Sequence, residues 1–389
     1  MKFISPLRPS AIIAGAALML IASSCSDGGV EVKVDPSTPR SGDMVEVSAD
    51  YIVDRLGTDR LQVIAPSGEA VTSQLTHDNK LIFLGADGTY KVMPAPAVAD
   101  STETDALVFG RLYPERADDI AWENDLVGFR IYGPATQAKG EKAFGYDIFF
   151  KYPGTGLVVE ELYRPETDPA TWVKVDSLRA IDPALAEEFI KSFSYHIDHG
   201  KGMDCYAVGP TLGAGVAALM PADSIAFPWC YDKAEVLDNG PLRFTVELTF
   251  APKAIGADSA VVEHRLISLD AGSHMNRTRV WYDGLTVPTP VTAGLPRRDD
   301  TASVTDSDAG IIAYSDPTQG PDNGRALLGV YFPAGIREAC ERDGHILGIT
   351  DYTPGDTLEY YWGFAWDKTD IKNLEEWRQY LESFSRSHK

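Results

Sequence analysis

Short runs in which hydrophobic and polar residues alternate occupy most of this chain, and this period of two is typical of half-buried β-strands. Between residues 42 and 96, four such runs are separated by the turn sequences PSG and ADG, which predicts a small β-sandwich. Similar runs continue through residues 108–389, and the first of them cover 126–133, 146–150 and 156–163. The pattern therefore predicts an all-β protein with two sandwich-like units and minor helix.

Three longer runs in the second unit predict a meander of antiparallel strands, at 236–250, 259–272 and 274–284. The first turn contains Asn239 and Gly240, and the second contains Asp270 and Gly272; these residue types tolerate a positive φ. In the first strand every second residue is apolar, and these residues are Leu242, Phe244, Val246, Leu248 and Phe250. We expect this face to be buried and the opposite face to be solvated or to line a cleft.

Two segments have the period of an amphipathic helix together with a start signal. Residues 182–193 begin with Asp182 as N-cap and Pro183 at the first helical position. Residues 373–384 begin with Asn373, and Glu376 follows three residues later, which is a capping-box pattern. We predict a helix in each segment.

The first 25 residues predict a lipoprotein signal peptide. Lys2 and Arg8 precede an apolar run at 11–22, and the sequence SSC ends at Cys25. The run is too short to span a bilayer, so we expect acylation of Cys25, with simple secretion as the alternative. Residues 26–41 would then be a tether, and the protein would be held at the cell envelope, on either face of an outer membrane, only through its lipid.

Charge and cysteine content narrow the classes of partner. The formal net charge is −22, which argues against binding to nucleic acid or to an anionic membrane surface. An acidic substrate would need a local group of Arg or Lys side chains. Besides Cys25 the chain has Cys205, Cys230 and Cys340, which allows one disulfide, with Cys205 and Cys230 as the favoured pair, or three thiols. The oligomeric state stays open.

The strongest chemical signal lies in residues 194–216, which combine histidine, aspartate, tyrosine and glycine. His196, His199, Asp204 and Tyr206 are the candidate catalytic residues of this segment. A His-x-Asp pair such as His196 and Asp198 can let the carboxylate orient an acid–base imidazole, or can bind a divalent cation such as Ca²⁺. The alternative is that these side chains cap turns, in which case no cofactor is needed.

A second candidate group occupies residues 118–134. Trp122 beside Glu123, Asn124 and Asp125 has the composition of a sugar site, in which an indole covers the ring and carboxylates or amides bind its hydroxyls. Arg130 on the following strand would neutralise a substrate carboxylate. The alternative is a turn capped by Asn124 or Asp125, with Trp122 in the core.

The last two candidate substrate-binding residues, Arg277 and Trp362, lie in the C-terminal half of the chain. Arg277 would neutralise a uronate carboxylate, although a cross-strand ion pair is the commoner use of such a residue. Trp362 suits either a sugar platform or core packing.

Several of these segments together resemble a known family. The sequences DDIAWENDLVGFRIYGPA (118–135), GKGMDCYAVGPTLGAGV (200–216), DNGPLRFTVEL (238–248) and a terminal W-x-x-Y-L are similar to those of domain-of-unknown-function family 4861. Its members are secreted or lipidated proteins of bacterial polysaccharide-utilisation loci. The resemblance covers about residues 108–384, without the segment before residue 100. It implies a galactose-mutarotase-like supersandwich, a large two-sheet fold whose concave face carries a sugar site.

The candidate residues and the resemblance favour an enzyme that processes uronate-containing, pectin-like oligosaccharides, most simply as a lyase. His196 or His199 would be the base, Tyr206 the acid, and Arg130 or Arg277 the neutralising cation. A hydrolase would instead use Glu123 and Asp204, and an epimerase would pair a histidine with a carboxylate. The non-enzymatic alternatives are a glycan-binding lipoprotein and a structural subunit of an outer-membrane complex. The predicted sugar site requires the segments around residues 123 and 200 to meet at one pocket.

Overall fold

The computed structural model describes residues 28–36, 44–96 and 106–388. Cys25 and the rest of the predicted signal peptide lie outside these ranges, so lipid anchoring stays a prediction. Within them, no helix is both long enough and apolar enough to cross a membrane.

The N-terminal unit is a small β-sandwich with one helix, as the alternation predicts. Its sheets have the strand orders β1-β7-β3-β4 and β2-β6-β5 and enclose one apolar core. The strands are β1 (Val30–Val34), β2 (Met44–Ser48), β3 (Leu61–Ile64), β4 (Ala70–Val71), β5 (Ser73–Leu75), β6 (Lys80–Leu84) and β7 (Gly88–Pro94), and the helix is α1 (Asp50–Leu56).

Two details of this unit differ from the expectation. The predicted tether is wrong over β1, which pairs with β7 and buries Val30, Val32 and Val34. The run that begins at Met44 turns into helix α1 after five strand residues, and its Ile52 packs into the core. The strand sequence VEVKV alternates strictly, but it is only five residues long and is flanked by glycine- and proline-containing sequence typical of a tether.

The second unit starts with a five-stranded antiparallel sheet of order β12-β11-β10-β9-β8 and a helical insertion. The strands are β8 (Val108–Tyr113), β9 (Asp119–Asn124), β10 (Gly128–Ile131), β11 (Asp147–Lys151) and β12 (Gly202–Met203). The helices are α2 (Pro134–Ala138), α3 (Val159–Thr167), α4 (Pro169–Ile181) and α5 (Pro183–Lys191).

Two further antiparallel sheets complete this unit. One has four strands in the order β13-β19-β24-β23, and the other has nine, in the order β14-β15-β17-β18-β25-β22-β21-β20 with β16 beside β17. The strands are β13 (Ala217–Leu219), β14 (Lys233–Asn239), β15 (Arg243–Thr249), β16 (Lys253–Ile255), β17 (Asp258–Asp270), β18 (Met275–Asp283), β19 (Val291–Pro296), β20 (Ser303–Asp306), β21 (Ile311–Pro317), β22 (Arg325–Tyr331), β23 (Glu338–Arg342), β24 (His345–Thr350) and β25 (Leu358–Trp366); helix α6 (Leu374–Ser387) follows.

The nine-stranded sheet packs against the five- and four-stranded sheets, and one large apolar core fills the space between these layers. A bridge between Tyr146 and Gly213 joins the two smaller sheets. Gly213 has φ +55° and leaves no room for a Cβ beside the Tyr146 backbone, so the glycine-rich segment 209–216 serves this close approach. The arrangement confirms the all-β, two-layer prediction.

Helices cover the outer faces of both layers. Helix α6 lies on the nine-stranded sheet through Trp377, Leu381 and Phe384, as its pattern predicts. Helix α3 lies on the five-stranded sheet through Leu162 and Tyr163. The prediction of a strand at 156–163 is wrong, because residues 159–163 form the first turns of α3.

The meander confirms the predicted turns and the predicted buried face: Leu242, Phe244, Val246, Leu248 and Phe250 are all buried. Its opposite face is covered at one end by the N-terminal unit. Gln74 Oε1 accepts hydrogen bonds from the backbone N–H groups of Leu242 and Arg243, and Arg243 pairs with Glu46. This docking explains why part of the face expected to be solvated is buried.

The N-caps of α5 and α6 agree with the sequence. Asp182 accepts from Ala184 N, and Asn373 Oδ1 accepts from Glu376 N at 3.0 Å while Glu376 accepts from Lys372 N. We expect Asn373→Ala to lower the free energy of unfolding by about 1 kcal/mol, because a helical N–H loses its acceptor. Urea denaturation would measure this, with Asn373→Asp as the variant that retains the cap; equal losses in both variants would contradict the capping role.

Candidate functional site

A group of charged and phenolic side chains lies where β10, β11 and β12 of the five-stranded sheet come together. Arg130 on β10 and Asp147 on β11 are direct cross-strand partners, Tyr132 follows β10, and Asp204 follows β12. His196 contacts Asp204 from the loop after α5. We call Arg130, Tyr132, Asp147, His196 and Asp204 the Arg130 cluster.

Arg130 is the centre of this cluster and is almost fully buried. Its Nε donates to Asp147 Oδ2 at 2.9 Å, and its Nη2 donates to Asp204 Oδ2 at 3.0 Å and to Tyr132 Oη at 3.1 Å. The Tyr132 hydroxyl donates to Asp147 Oδ2 at 2.7 Å. One guanidinium thus holds two buried carboxylates together. Removing any one of these three charged groups is expected to destabilise the folded protein strongly, because an uncompensated charge stays buried.

Burial shifts the acidity of the carboxyl groups in this region. Loss of solvent and the charge of Asp147 raise the pKa of Asp204 to about 6, against the lowering effect of Arg130. Burial likewise raises the pKa of Asp119, at the start of β9, to about 6. These carboxyls can therefore exchange protons close to neutral pH.

His196 connects the cluster to solvent, since 53% of its side chain is exposed. Its Nδ1 lies 2.9 Å from the backbone carbonyl oxygen of Asp204 and 3.9 Å from Asp204 Oδ2. A carbonyl oxygen only accepts hydrogen bonds, so Nδ1 carries the proton and Nε2 of the neutral ring keeps its lone pair. This geometry makes Nε2 a candidate proton acceptor.

A second group lies next to the first and contains Tyr206, Arg298 and Asp316; we call it the Tyr206 cluster. Asp316, near the end of β21, is fully buried, and Arg298 Nε lies 3.5 Å from its Oδ2. The Arg298 guanidinium also stacks over the Tyr206 ring at 5.0 Å. Tyr206 follows Asp204 by two residues, so the two clusters adjoin along the chain.

The polar atoms of the Tyr206 cluster are buried and only loosely paired. The Tyr206 hydroxyl and both oxygens of Asp316 form no hydrogen bond of good geometry within the described residues, although Tyr206 and Asp316 interact with each other and Arg298 Nε lies 3.5 Å from Asp316 Oδ2. Burial raises the pKa of Asp316 to about 7, and Arg298 opposes this shift only in part. Below that pH Asp316 is neutral, so the positive charge of Arg298 is left available for another anion.

Two predicted sugar platforms are wrong, because both indoles lie in the core. Trp122 stacks on Phe244 and donates from Nε1 to Asn276 Oδ1 at 2.8 Å. Trp362 stacks on Tyr146, with ring centroids 3.8 Å apart, and donates to Thr278. On β9 every residue is buried, so the alternation could not indicate which face was exposed.

The polar residues after Trp122 have structural roles. Glu123 pairs with the buried Lys151 and accepts from Val158 N and Val159 N, so it caps the start of α3. Asn124 Oδ1 accepts from Leu126 N and Val127 N, and Asp125 accepts from Gly272 N. The predicted roles of Glu123 as a catalytic carboxylate and of Asn124 as a sugar ligand are wrong; the alternative reading, a capped turn, is confirmed.

Three other predicted positions lie apart from the clusters. Arg277 pairs with Glu359 on the α6 side of the nine-stranded sheet. His199 is exposed, and its Nε2 contacts Ser194 O at 3.2 Å. Asp198 accepts hydrogen bonds from Tyr152 Oη and from the backbone of Gly200, which ties the turn beside His199.

Cys205, Cys230 and Cys340 are free, so the favoured disulfide between Cys205 and Cys230 is wrong. Across the three described ranges, no group of three or more His, Cys, Asp or Glu side chains is placed to hold a metal ion.

The sequence thus identified one part of the site and missed another. Arg130, His196, Asp204 and Tyr206 come together, whereas Arg298 and Asp316 were not predicted. Arg298 follows a strand in the sequence PRRDD, which reads as an ordinary charged turn. Asp316 lies in a strand whose other inward residues, Ile312 and Tyr314, are apolar; a lone acid at an inward position was the available signal.

Comparisons with known proteins place this chain in a family. A family model described as "Domain of unknown function (DUF4861)" matches residues 32–389. The match includes most of the N-terminal unit, so the expectation that the resemblance excludes the segment before residue 100 is wrong.

Other similarities extend over most of the chain. "Uncharacterized protein P7" of Formosa agariphila is 27% identical over 381 residues, covering 92% of this chain and 90% of that protein. An alpha-mannosidase from Enterococcus faecalis V583 aligns with a TM-score of 0.41, and an Enterococcus faecalis protein in glycosyl hydrolase family 38 with 0.42. Both are 9% identical over 93% of this chain, which spans 43% and 44% of their lengths. On the extent of the family match, this chain belongs to the DUF4861 family.

Proposed function

We propose that the Arg130 and Tyr206 clusters form the catalytic centre of a lyase that cleaves uronate-containing oligosaccharides by β-elimination. In this reaction a base takes the proton from the carbon beside the uronate carboxylate. A carbon–carbon double bond forms, the bond from the next carbon to the glycosidic oxygen breaks, and an acid protonates the leaving oxygen. The chemistry needs a base, an acid and a cation for the carboxylate.

The observation that carries the proposal is the orientation of His196. Its Nδ1 is held by the Asp204 carbonyl oxygen, so the free lone pair lies on Nε2 of a half-exposed ring. A base that must reach a substrate carbon needs such an exposed, oriented nitrogen. The Asp204 carboxylate, 3.9 Å from Nδ1, stabilises the imidazolium that proton transfer creates.

Arg298 and Tyr206 supply the remaining parts. Arg298 is 24% exposed and faces an Asp316 that is neutral below about pH 7, so its charge is available to the uronate carboxylate. Neutralising that carboxylate lowers the barrier to removal of the adjacent proton. Burial holds the pKa of Tyr206 well above its usual value, which keeps the hydroxyl protonated and able to act as the acid. Arg298 takes the role predicted for Arg130 and Arg277, because Arg130 is buried between two carboxylates and Arg277 pairs with Glu359 away from both clusters.

The proposal is tested by incubating the protein with pectic and other uronate oligosaccharides. Ultraviolet absorbance of the unsaturated product and new reducing ends should increase together. We expect His196→Ala to lower kcat by about 10²–10⁴-fold, since an acid–base residue contributes on this scale. Tyr206→Phe should have a similar effect. Asp204→Asn should lower the pKa of the acidic limb of the kcat/KM profile, because the imidazolium loses the carboxylate that stabilises it.

His199→Ala is the matched control, because it removes an exposed imidazole three positions away that contacts only backbone. It should leave kcat within about twofold of the parent. Reducing ends without the unsaturated product would identify a hydrolase and overturn the proposal. Binding of the oligosaccharides without either product would instead identify a glycan-binding protein.

A further inference from the structure

A partly open cavity of about 80 Å³ lies apart from both clusters. Its walls come from the ends of β13, β15, β17 and β18, from β16, from α2 and from the segment around Trp229. No residue that lines it belongs to the Arg130 or Tyr206 cluster.

The cavity is mostly apolar. Phe250 and Trp229 supply aromatic surface, and the aliphatic lining consists of Leu219, Ala226, Pro228, Ala251, Ile255 and Val261. Trp229 is held in place by an edge-to-face contact with Phe144, with ring centroids 5.3 Å apart. Such a lining suits the C–H face of a sugar ring as well as it suits a purely apolar ligand.

Unpartnered polar atoms distinguish between these two ligand classes. The Tyr282 hydroxyl and the Trp229 Nε1–H are buried and form no hydrogen bond within the described residues, and both side chains line the cavity. Each such group destabilises the folded protein when it is left without a partner. A hydrocarbon ligand would leave both unsatisfied, whereas a ligand with hydroxyl groups would satisfy them.

The charges around the cavity add a requirement. Glu263 pairs through Oε1 with Arg265, which is fully buried and also donates to Tyr146 Oη and Ala217 O. Burial raises the pKa of Glu263, and the charges of Arg265 and Lys253 oppose this shift. Lys253 donates to Phe227 O at 2.6 Å and forms no ion pair in the part of the chain that the structure describes. Burial lowers the pKa of Lys253, the charge of Glu263 opposes this shift, and Lys253 is the cation of the cavity wall that a ligand anion can reach.

We infer that this cavity binds one pyranose unit that carries a carboxylate, a uronic acid. The ring lies against Phe250 and Trp229, its hydroxyls bond to Tyr282 Oη and Trp229 Nε1, and its carboxylate pairs with Lys253. The site is separate from the proposed catalytic centre and does not depend on its chemistry.

Titration calorimetry with D-galacturonate, D-glucuronate, D-galactose and D-glucose tests this inference. We expect each uronate to bind at least about tenfold more tightly than its neutral counterpart, because a charge-assisted contact contributes about 1.5–3 kcal/mol. Lys253→Gln should remove this preference. Tyr282→Phe should weaken uronate binding about three- to tenfold without lowering the melting temperature, since it deletes a hydroxyl that has no partner.

His196→Ala and Arg298→Gln serve as controls, because a uronate that binds at the catalytic centre would respond to them instead. The cavity site is supported if uronate binding is unchanged in these two variants while Lys253→Gln loses the preference for uronates. This holds even if no lyase activity is found. Equal affinity for uronates and neutral sugars would overturn the inference. It would also be overturned if benzoate or hexanoate bound in their place, or if Tyr282→Phe bound uronate like the parent.

Discussion

Arg130→Met is expected to lower the free energy of unfolding by about 3–5 kcal/mol. Arg130 is the shared partner of Asp147 and Asp204, whose side chains are 1% and 3% exposed. Without the guanidinium, two carboxylates stay buried side by side with no bound cation. The cost of that arrangement exceeds the value of an ordinary ion pair, because neither charge regains its water.

Urea denaturation at a pH above 7 measures this effect, and three comparisons make it specific. Arg277→Met removes a guanidinium from a pair whose side chains are 41% and 32% exposed, and should cost no more than about 1 kcal/mol. The loss of unfolding free energy in Arg130→Lys should lie between the losses in Arg130→Met and Arg277→Met, since an ammonium keeps the charge but not the planar fork. In an Asp147→Asn, Asp204→Asn background, Arg130→Met should cost much less; an undiminished loss there would show that packing, not charge, explains the result.

The parts of the fold that follow from the sequence are those with a local cause. The caps at Asp182 and Asn373 and the alternation on β15 depend on residues a few positions apart, and the structure confirms them. Helix α3 could not be predicted in the same way. Its start is held by Glu123, which lies more than thirty residues earlier and accepts from Val158 N and Val159 N.

The same distinction applies to the site. The segment around Asp204 was recognisable because several acid–base residues are close together in the sequence. Which of them come together depends on partners distant in the sequence: Arg130 contacts Asp204, and Arg298 and Asp316 contact Tyr206. At Trp122 and Glu123 the residue types predicted a sugar site, and this prediction was wrong. Trp122 packs in the core, and Glu123 caps helix α3.

Asp316 should make the stability of the protein depend on pH in a direction opposite to that of an ordinary ion-paired aspartate. Burial raises its pKa in the folded state to about 7, from a usual value near 3.8. Between these values the unfolded chain has released the proton and the folded chain keeps it. The contribution of the protonated group is therefore complete below about pH 4 and is lost as the pH rises through 7. We expect this loss to reach roughly 2–4 kcal/mol by about pH 8.

Asp316→Asn isolates this contribution, because the amide has nearly the same shape and does not ionise. The difference in unfolding free energy between the variant and the parent should grow in favour of the variant from about pH 4 to pH 8. Asp299→Asn is the opposite case: hydrogen bonds from Thr301, Arg325 and Tyr314 outweigh its burial and hold the pKa of Asp299 well below its usual range. The difference in unfolding free energy between Asp299→Asn and the parent should stay constant above about pH 5. A flat profile for Asp316→Asn would mean that Asp316 is ionised in the folded protein at neutral pH, and Arg298 would then no longer be available to a substrate carboxylate.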